Sequence, residues 1–179
     1  NFGIKLGLEN ISQMCAALGH PARAFTSLPV AGPNGKGSVT AMTHAALRAA
    51  GVQAARYTSP HLAHLSERFV IDAQPVDDHT LEAVAADVLA CADRLQQEGT
   101  LSVPLTFFEA TTAIAFELFR RARVEVAVFE VGLGGRFDAT NVLMPVAGAI
   151  TTIEARPKGG ASVKSPAGSV TASAVSVAP

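Results

Sequence analysis

A glycine-rich loop that separates a short apolar run from a helical pattern limits most strongly how this chain can fold. The stretch "SLPVAG" (27–32) leads through this loop into "SVTAMTHAALRAAG" (38–51), in which Val39 and Met42 recur at helical spacing. Gly51 is a plausible end for that helix, since glycine readily adopts the left-handed conformation of a helix C-cap. The order predicts a strand, a tight loop and a helix.

The rest of the chain continues the alternation of strands and helices. Thr106 and Glu109 form a capping-box pattern, which predicts the start of a helix. The expected extended segments are 52–60, 67–76 (with a turn around 72–75), 124–131 and 146–153, and the expected further helices are 77–98 and 106–121. Such alternation favours an α/β fold with three layers, in which helices flank a mostly parallel, P-loop-type sheet.

The composition changes after residue 153. Residues 154–179 contain no Leu, Ile, Phe, Met or Tyr and show neither helical nor strand periodicity. The sequence therefore predicts one folded domain over residues 1–153 and a disordered, low-complexity tail over 154–179. The abrupt change is more typical of a frameshift or a misjoined fragment than of an evolved tail.

Charge and cysteine usage exclude several functional classes. The chain has 179 residues and a formal net charge of -1, so it lacks the basic surface expected of a protein that binds nucleic acid or an anionic membrane. No apolar run approaches the roughly 20 residues of a membrane span, and a cytoplasmic protein is expected. Cys15 and Cys91 have neither disulfide-framework nor zinc spacing, which favours buried free thiols.

The glycine-rich loop has the chemistry of a phosphate cradle. Unpaired N–H groups and the positive end of the helix dipole meet at a helix N-terminus, and Lys36 could reach terminal phosphates. The spacing differs from GxxxxGK[ST], because Gly37 separates Lys36 from Ser38, and Pro33 removes one N–H donor. Taken alone, the pattern leaves a flexible Gly/Asn turn as an alternative.

A carboxylate follows another predicted strand. Glu130 precedes "GLGGRFDATN", so it would lie at the carboxyl edge of the sheet, where open α/β folds bind ligands. Ser59 ends the second strand and could add a hydroxyl ligand. Mg²⁺ bound to ATP phosphates prefers such hard oxygen ligands. A structural strand-end Glu and a plain turn at "TSP" are the alternatives.

Four stretches together resemble one family. "GPNGKGS", "YTSPHL" with "ERF", "LTFFEATTAIAF" and "EVGLGGRFDATNV" occur in the order and at the separations of the N-terminal ATP-binding domain of dihydrofolate synthase/folylpolyglutamate synthase, a relative of the Mur ligases. The resemblance covers roughly residues 1–153. It implies an ATP- and Mg²⁺-dependent ligase, expected to be a monomer, that joins L-glutamate to dihydropteroate or folate through an acyl phosphate.

The resemblance also implies roles for single residues. It assigns nucleotide binding to Gly32, Asn34, Gly35, Lys36, Gly37 and Ser38, and the metal to Ser59 and Glu130. It assigns the pterin side to Thr106, Phe107, Phe108, Glu109, Phe137, Asp138 and Ala139, with Lys36, Glu130 and Asp138 as catalytic residues. Core packing remains an alternative for the two phenylalanines at 107 and 108. The His61 and His64 pair is not expected to bind metal.

Two departures from the family pattern bear on activity. The family usually has threonine where this chain has Pro33. After "ITTI" the family continues into a Gly-Leu-Asp-His type segment, whose histidine completes the magnesium site, and then into a C-terminal domain that holds glutamate. That continuation is missing from this sequence, so an incomplete catalytic cycle is expected. A nucleotide- or pterin-binding remnant without catalysis is the alternative function.

Overall fold

The computed structural model describes residues 7–132 and 135–151, which form a six-stranded sheet flanked by helices. The strands are β1 (Thr26–Ala31), β2 (Ala54–Tyr57), β3 (Phe69–Ile71), β4 (Gln74–Pro75), β5 (Val126–Glu130) and β6 (Ala149–Ile150), and their order in the sheet is β4-β3-β2-β5-β1-β6. The pairs β1–β5, β1–β6 and β2–β5 are parallel, whereas β3 and β4 are antiparallel additions at one edge. The predicted mostly parallel α/β sheet is confirmed.

Four α-helices connect and cover these strands in the described part of the chain. They are α1 (Glu9–Ala17), α2 (Lys36–Ala49), α3 (Asp78–Gln97) and α4 (Phe107–Arg121), and short 3₁₀ helices span Pro21–Arg23, Leu65–Arg68 and Ala139–Val142. The predicted helices 38–51, 77–98 and 106–121 are confirmed with shifts of one or two residues at their ends. The predicted extended segment at 67–76 is shorter than expected, because residues 67 and 68 end a 3₁₀ helix and β3 begins only at Phe69. The turn predicted around 72–75 is found at Asp72, which has φ 52°, and it leads into β4, which pairs with β3 as a hairpin.

Local capping explains where two helices begin. Asp77 Oδ1 accepts a 2.9 Å hydrogen bond from the Thr80 N–H at the start of α3. At the start of α4, Glu109 Oε2 accepts from the Thr106 N–H at 2.8 Å while Thr106 Oγ1 accepts from the Glu109 N–H at 3.2 Å. These bonds satisfy N–H groups that the helix itself cannot pair, so the predicted capping box is confirmed.

The main core lies between the sheet and the layer of α1, α3 and α4. Phe129 of β5 is fully buried at its centre, and its ring centroid lies 5.4 Å from that of Phe116, 5.7 Å from Phe119 and 5.9 Å from Tyr57. Rings at these separations and tilted orientations pack favourably through their quadrupoles as well as by burial. This layer fixes β5, and therefore the position at which Glu130 leaves the sheet.

Helix α2 packs against β1, β2 and β5 from the opposite face. Its buried side chains are Thr40 and His44, and His44 Nε2 lies 3.3 Å from Ala54 O. Met42, which the helical spacing put among the apolar positions, is 58% exposed. The helix thus turns a small polar face to the sheet, where a hydrogen bond to β2 satisfies the imidazole.

A buried carboxylate on α4 gives a pH-dependent contribution to stability. Burial opposes ionisation of Glu117, but hydrogen bonds from Arg120 and Arg121 outweigh it and hold the Glu117 pKa below its ordinary value of 4.5. We expect Glu117→Gln to lower the free energy of unfolding by about 2 kcal/mol at pH 7. This loss is smaller than for a fully buried ion pair, because both arginines are nearly half-exposed and water can still solvate them when the carboxylate is removed. Urea unfolding measures this difference.

The same pair predicts the direction of the pH dependence. Because the folded-state pKa of Glu117 is depressed, its contribution is present above pH 4.5 and disappears as pH falls through the folded pKa. The gap between wild type and variant should therefore shrink in acid. Glu98→Gln is the matched control, since the Arg94–Glu98 pair is about half-exposed and should matter by less than about 0.5 kcal/mol. An equal loss for both variants would contradict this account.

Some predictions fall outside the described residues. The tail at 154–179 and the end of the last predicted strand are among them, and β6 covers only Ala149–Ile150. Cys15 and Cys91 are both free thiols, as expected. Cys15 is buried as expected, whereas Cys91 is only partly buried. Among residues 7–132 and 135–151, no helix combines the length and apolar character needed to cross a bilayer.

Candidate nucleotide and substrate site

The glycine-rich loop enters α2 through a left-handed residue. Gly35, the residue before the helix, has φ 78°, a conformation that glycine adopts at low cost. Lys36 is the first helical residue, and its Nζ donates a 3.0 Å hydrogen bond to Gly32 O across the loop. The ammonium group is thus already at the mouth of the helix, where a phosphate group could exchange for the carbonyl.

Gly32 lets the loop run directly beside the edge strand. It has φ 130°, and a methyl group added there would overlap the Thr151 hydroxyl and come within 2.8 Å of Thr151 O. The Thr151 N–H in turn donates to Ala31 O at 2.8 Å. The loop therefore depends on the β6 side of the sheet, and no side chain fits at position 32.

Glu130 and Ser59 meet beside the first turn of α2. Ser59 N–H donates to Glu130 Oε2 at 3.1 Å, and a methyl group placed on Gly37 would lie 3.6 Å from the same oxygen. Glu130 is 7% exposed. The structure thus brings together three positions that lie far apart in sequence, as expected for the carboxyl ends of neighbouring parallel strands.

The donor set at this point fits a hard divalent ion. A carboxylate and a hydroxyl are oxygen ligands of the kind that Mg²⁺ combines with phosphate oxygens and water. Over the described ranges, no group of three or more His, Cys, Asp or Glu residues is arranged to hold a metal by itself. The residues present therefore suit an ion that arrives with phosphate ligands, and their metal role stays a prediction.

The loop that carries Ser59 is held by the residues of "ERF". Glu67 accepts hydrogen bonds from the N–H groups of Leu62 at 2.8 Å, Ala63 at 3.0 Å and His64 at 2.8 Å. These bonds, that from Leu62 first, lower the Glu67 pKa to about 2. The carboxylate therefore stays ionised over ordinary pH and keeps the loop in one conformation. The sequence analysis assigned Glu67 no role.

The predicted pterin-side residues on α4 differ in their surroundings. Phe107 is 59% exposed, so core packing does not account for it. Phe108 is partly buried against the main core, with its ring centroid 6.1 Å from that of Tyr57. Thr106 and Glu109 are engaged in the capping box described above. The first turn of α4 therefore presents the Phe107 ring to solvent and holds the Phe108 ring against the core.

The other predicted pterin-side residues, Phe137, Asp138 and Ala139, follow β5. Asp138 is 4% exposed and caps the Ala139–Val142 turn, where its Oδ1 accepts from the Thr140 N–H at 3.0 Å and from Thr140 Oγ1 at 2.5 Å. Ala139 is buried, while Phe137 is 52% exposed. Capping holds the Asp138 carboxylate in place. Its catalytic and pterin-binding roles stay predictions.

Gly132 lies next to both the phosphate loop and the predicted pterin-side residues. A methyl group on it would lie 2.6 Å from Phe108 Cζ and 2.9 Å from Asp138 Oδ2, so both predicted pterin-side walls border this glycine. On its other side, Gly132 lines a cavity of about 370 Å³. The cavity is lined by Ala31, Gly32, Pro33, Lys36, Val131, Gly132 and Gly135. Gly132 is therefore the residue shared by the cavity of the phosphate loop and the surroundings of Phe108 and Asp138.

We expect Gly132→Ala to disturb this junction. The added methyl must displace the Phe108 ring or Asp138, and overpacking of this kind costs about 1–3 kcal/mol of unfolding free energy. Differential scanning calorimetry measures the loss as a lower melting temperature. Gly37→Ala is the control, because the methyl there would make only an ordinary contact, 3.6 Å from Glu130 Oε2. A Gly132→Ala melting temperature equal to that of the control would refute the contact.

Gly132 and Arg68 are candidate residues that the sequence analysis missed. Both lie within stretches quoted above, Arg68 in "ERF" and Gly132 in "EVGLGGRFDATNV". The motifs therefore marked these positions, but they did not indicate which residues the two would contact. A glycine two residues after a strand-end carboxylate indicates close approach of another segment. Which segment approaches depends on the tertiary fold.

These features are those of a P-loop-type α/β domain with a site at the carboxyl edge of its sheet. A mostly parallel three-layer α/β domain carries a P-loop-type turn into a helix, beside a strand-end carboxylate. No family model matches the chain. The dihydrofolate synthase/folylpolyglutamate synthase of Bacillus subtilis is 39% identical over 153 residues, which is 85% of this chain and 35% of that relative. The chain therefore corresponds to an N-terminal region of the dihydrofolate synthase/folylpolyglutamate synthases.

Solved structures agree with this assignment. Escherichia coli FolC in complex with DHPP and ADP matches with a TM-score of 0.76 and 34% identity, over 86% of this chain and 35% of that one. The Yersinia pestis bifunctional folylpolyglutamate synthase/dihydrofolate synthase complexed with AMPPNP and a Mn ion matches with a TM-score of 0.73 and 36% identity, over 84% and 35% of the two chains. The chain thus spans about a third of the length of these relatives.

Proposed function

We propose that this chain is the nucleotide- and acid-binding part of an ATP-dependent carboxylate–amine ligase that joins L-glutamate to dihydropteroate or folate. One observation carries the proposal: Gly132 lines the same cavity as Lys36 and borders Phe108 and Asp138. A ligase that activates a carboxylate must bring that carboxylate against the terminal phosphate of ATP, and Gly132 lies between the cavity on the phosphate side and the residues assigned to the acid side. The similarity to folylpolyglutamate and dihydrofolate synthases supports the same reaction.

The phosphate side supplies positioning and charge. The amide groups of Gly35, Lys36 and Gly37 would bind phosphate oxygens at the start of α2, and the Lys36 ammonium would leave Gly32 O to pair with the terminal phosphate. Ser59 and Glu130 would hold Mg²⁺. When bound, that ion offsets phosphoryl charge, as is usual in phosphoryl transfer.

The acid side orients the carboxylate. The ring of Phe108 would pack on the flat heterocycle, and the exposed ring of Phe107 would extend that surface. Asp138, held by Thr140, would accept hydrogen bonds from pterin nitrogens. Pre-set groups of this kind lower the entropic cost of bringing two substrates together.

Two group transfers complete the reaction. A carboxylate oxygen attacks the γ-phosphorus, the bond to the β–γ bridging oxygen breaks, and ADP leaves with that electron pair to give an acyl phosphate. The glutamate nitrogen then attacks the acyl carbon, phosphate leaves, and the nitrogen releases a proton. Lys36 would neutralise charge on the transferring group in the first step.

The test is inorganic phosphate release by the chain with ATP, Mg²⁺, L-glutamate and dihydropteroate. Release that requires both glutamate and dihydropteroate supports the ligase. ATP binding without such release would leave the second candidate, a non-catalytic nucleotide- or pterin-binding remnant. Absence of ATP binding would refute the ligase, and absence of both ATP and dihydropteroate binding would refute the remnant as well.

Two further properties belong to the proposal. We expect the chain to be a monomer, which sedimentation velocity measures directly, and a second species at higher mass would contradict it. We also expect it to act in the cytoplasm, which a tagged full chain can test by fractionation.

A further inference from the structure

Arg68 is a buried cation without an acidic partner in the described part of the chain. The residue is 6% exposed, and the ion pairs found among residues 7–132 and 135–151 do not include it. Burial of a guanidinium is costly unless specific contacts use its charge or its donors. A role in packing alone would be served as well by methionine or leucine, so the contacts of Arg68 need a separate account.

The contacts of Arg68 bracket Ser59. Its backbone carbonyl accepts the Thr58 N–H at 3.0 Å, directly before Ser59, and its side-chain Nε donates to His61 Nδ1 at 2.9 Å, two residues after it. Arginine only donates, so His61 Nδ1 is the acceptor in this contact. One residue thereby holds the chain on both sides of the serine whose N–H reaches Glu130.

Arg68 also touches the substrate side. Its Cζ lies 5.2 Å from the centroid of the Phe107 ring, a cation–π distance, and the His61 ring centroid lies 6.5 Å from the same ring. Phe107 is the first residue of α4 and is mostly exposed. The planar guanidinium can stack and donate at once, which a lysine ammonium cannot do.

We propose that Arg68 is a positioning residue of the ligase, which fixes Ser59 against Glu130 and links that position to Phe107. The inference rests on the proposed function and deepens it, because it names what holds the metal side and the pterin side in one arrangement. Arg68 acts through His61 and the backbone and is not itself a ligand. Outer groups that orient metal ligands change metal affinity by about 10- to 100-fold when removed.

The experiment measures Mn²⁺ binding to the chain by electron paramagnetic resonance in the presence of AMPPNP. We expect Arg68→Met to weaken Mn²⁺ binding about 10-fold while AMPPNP binding without metal stays unchanged. Arg68→Lys should restore part of the loss, and His61→Phe should weaken Mn²⁺ to a similar extent. The double variant should be no worse than Arg68→Met, because both changes break one connection. Arg56→Met is the control, since it removes an arginine of the adjacent strand β2.

The remaining outcomes refute either the positioning role of Arg68 or the proposed function. Unchanged Mn²⁺ affinity in Arg68→Met, or equal losses with and without metal, would refute the positioning role. If Arg68→Met fails to fold, His61→Phe decides the matter, since unchanged Mn²⁺ affinity there would also refute it. A wild-type chain that binds no AMPPNP would instead refute the proposed function, so the two failures are distinguishable.

Discussion

Lys36→Met should weaken AMPPNP binding by roughly 100-fold, which corresponds to about 3 kcal/mol for a charged group removed from a desolvated phosphate contact. The fold should change little, because within residues 7–132 and 135–151 the ammonium makes one hydrogen bond, to Gly32 O at 3.0 Å, and methionine keeps the length of the stem. Isothermal titration calorimetry with the wild type and the variant measures the difference.

The matched control for Lys36→Met lies on the same helix. Arg48 is exposed in the last turn of α2, so Arg48→Met removes one positive charge at the far end from the phosphate loop. We expect its AMPPNP affinity to equal that of the wild type. If the two variants lost affinity equally, the lysine would act only through net charge, and the phosphate-cradle interpretation of the loop would be wrong.

Glu130→Gln should remove most of the dependence of nucleotide binding on a divalent ion. Glutamine can still accept the Ser59 N–H bond that now joins Glu130 Oε2 at 3.1 Å, but it is neutral and a poor ligand for Mg²⁺. We expect Mn²⁺ affinity in the presence of AMPPNP to fall about 100-fold, the size expected when a charged partner is lost from a desolvated site. AMPPNP affinity without metal should stay the same or rise, since a negative charge leaves the phosphate side.

Glu125→Gln is the control for this measurement. Glu125 lies just before β5, at the opposite end of the strand from Glu130, and accepts the Gln53 N–H at 2.8 Å. It should leave both titrations unaffected. Full retention of Mn²⁺ binding by Glu130→Gln would exclude Glu130 as a metal ligand and leave it as a strand-end carboxylate that orients Ser59.

Much of the fold could be predicted because its signals are local. The helix start at Thr106 follows from two side chains three residues apart, and α3 from the acidic cap and the period of its apolar residues. The strand, loop and helix around Lys36 likewise follow from residues that are neighbours in the chain. A helix pairs most of its own backbone groups, so the distant chain hardly alters where it forms.

The rest could not be predicted because it depends on contacts between distant segments. Helical spacing marked Met42 as apolar but could not tell which face of α2 meets the sheet, and the structure turns Thr40 and His44 inward. The sequence predicted a turn around 72–75, but not that residues 74 and 75 pair back on β3, because that pairing depends on contacts across the turn. The resemblance identified the candidate site residues, but their roles as ligands stay predictions.

By itself the sequence determined the class of fold, the family and the position of the phosphate-type loop, since each depends on short-range patterns or on motifs in a given order. Only the tertiary structure decided that Gly32 lies against Thr151, that Gly132 separates Phe108 from Asp138, and that Arg68 holds both sides of Ser59. The physical reason is that these contacts exist only after the sheet has placed strands from remote parts of the chain side by side.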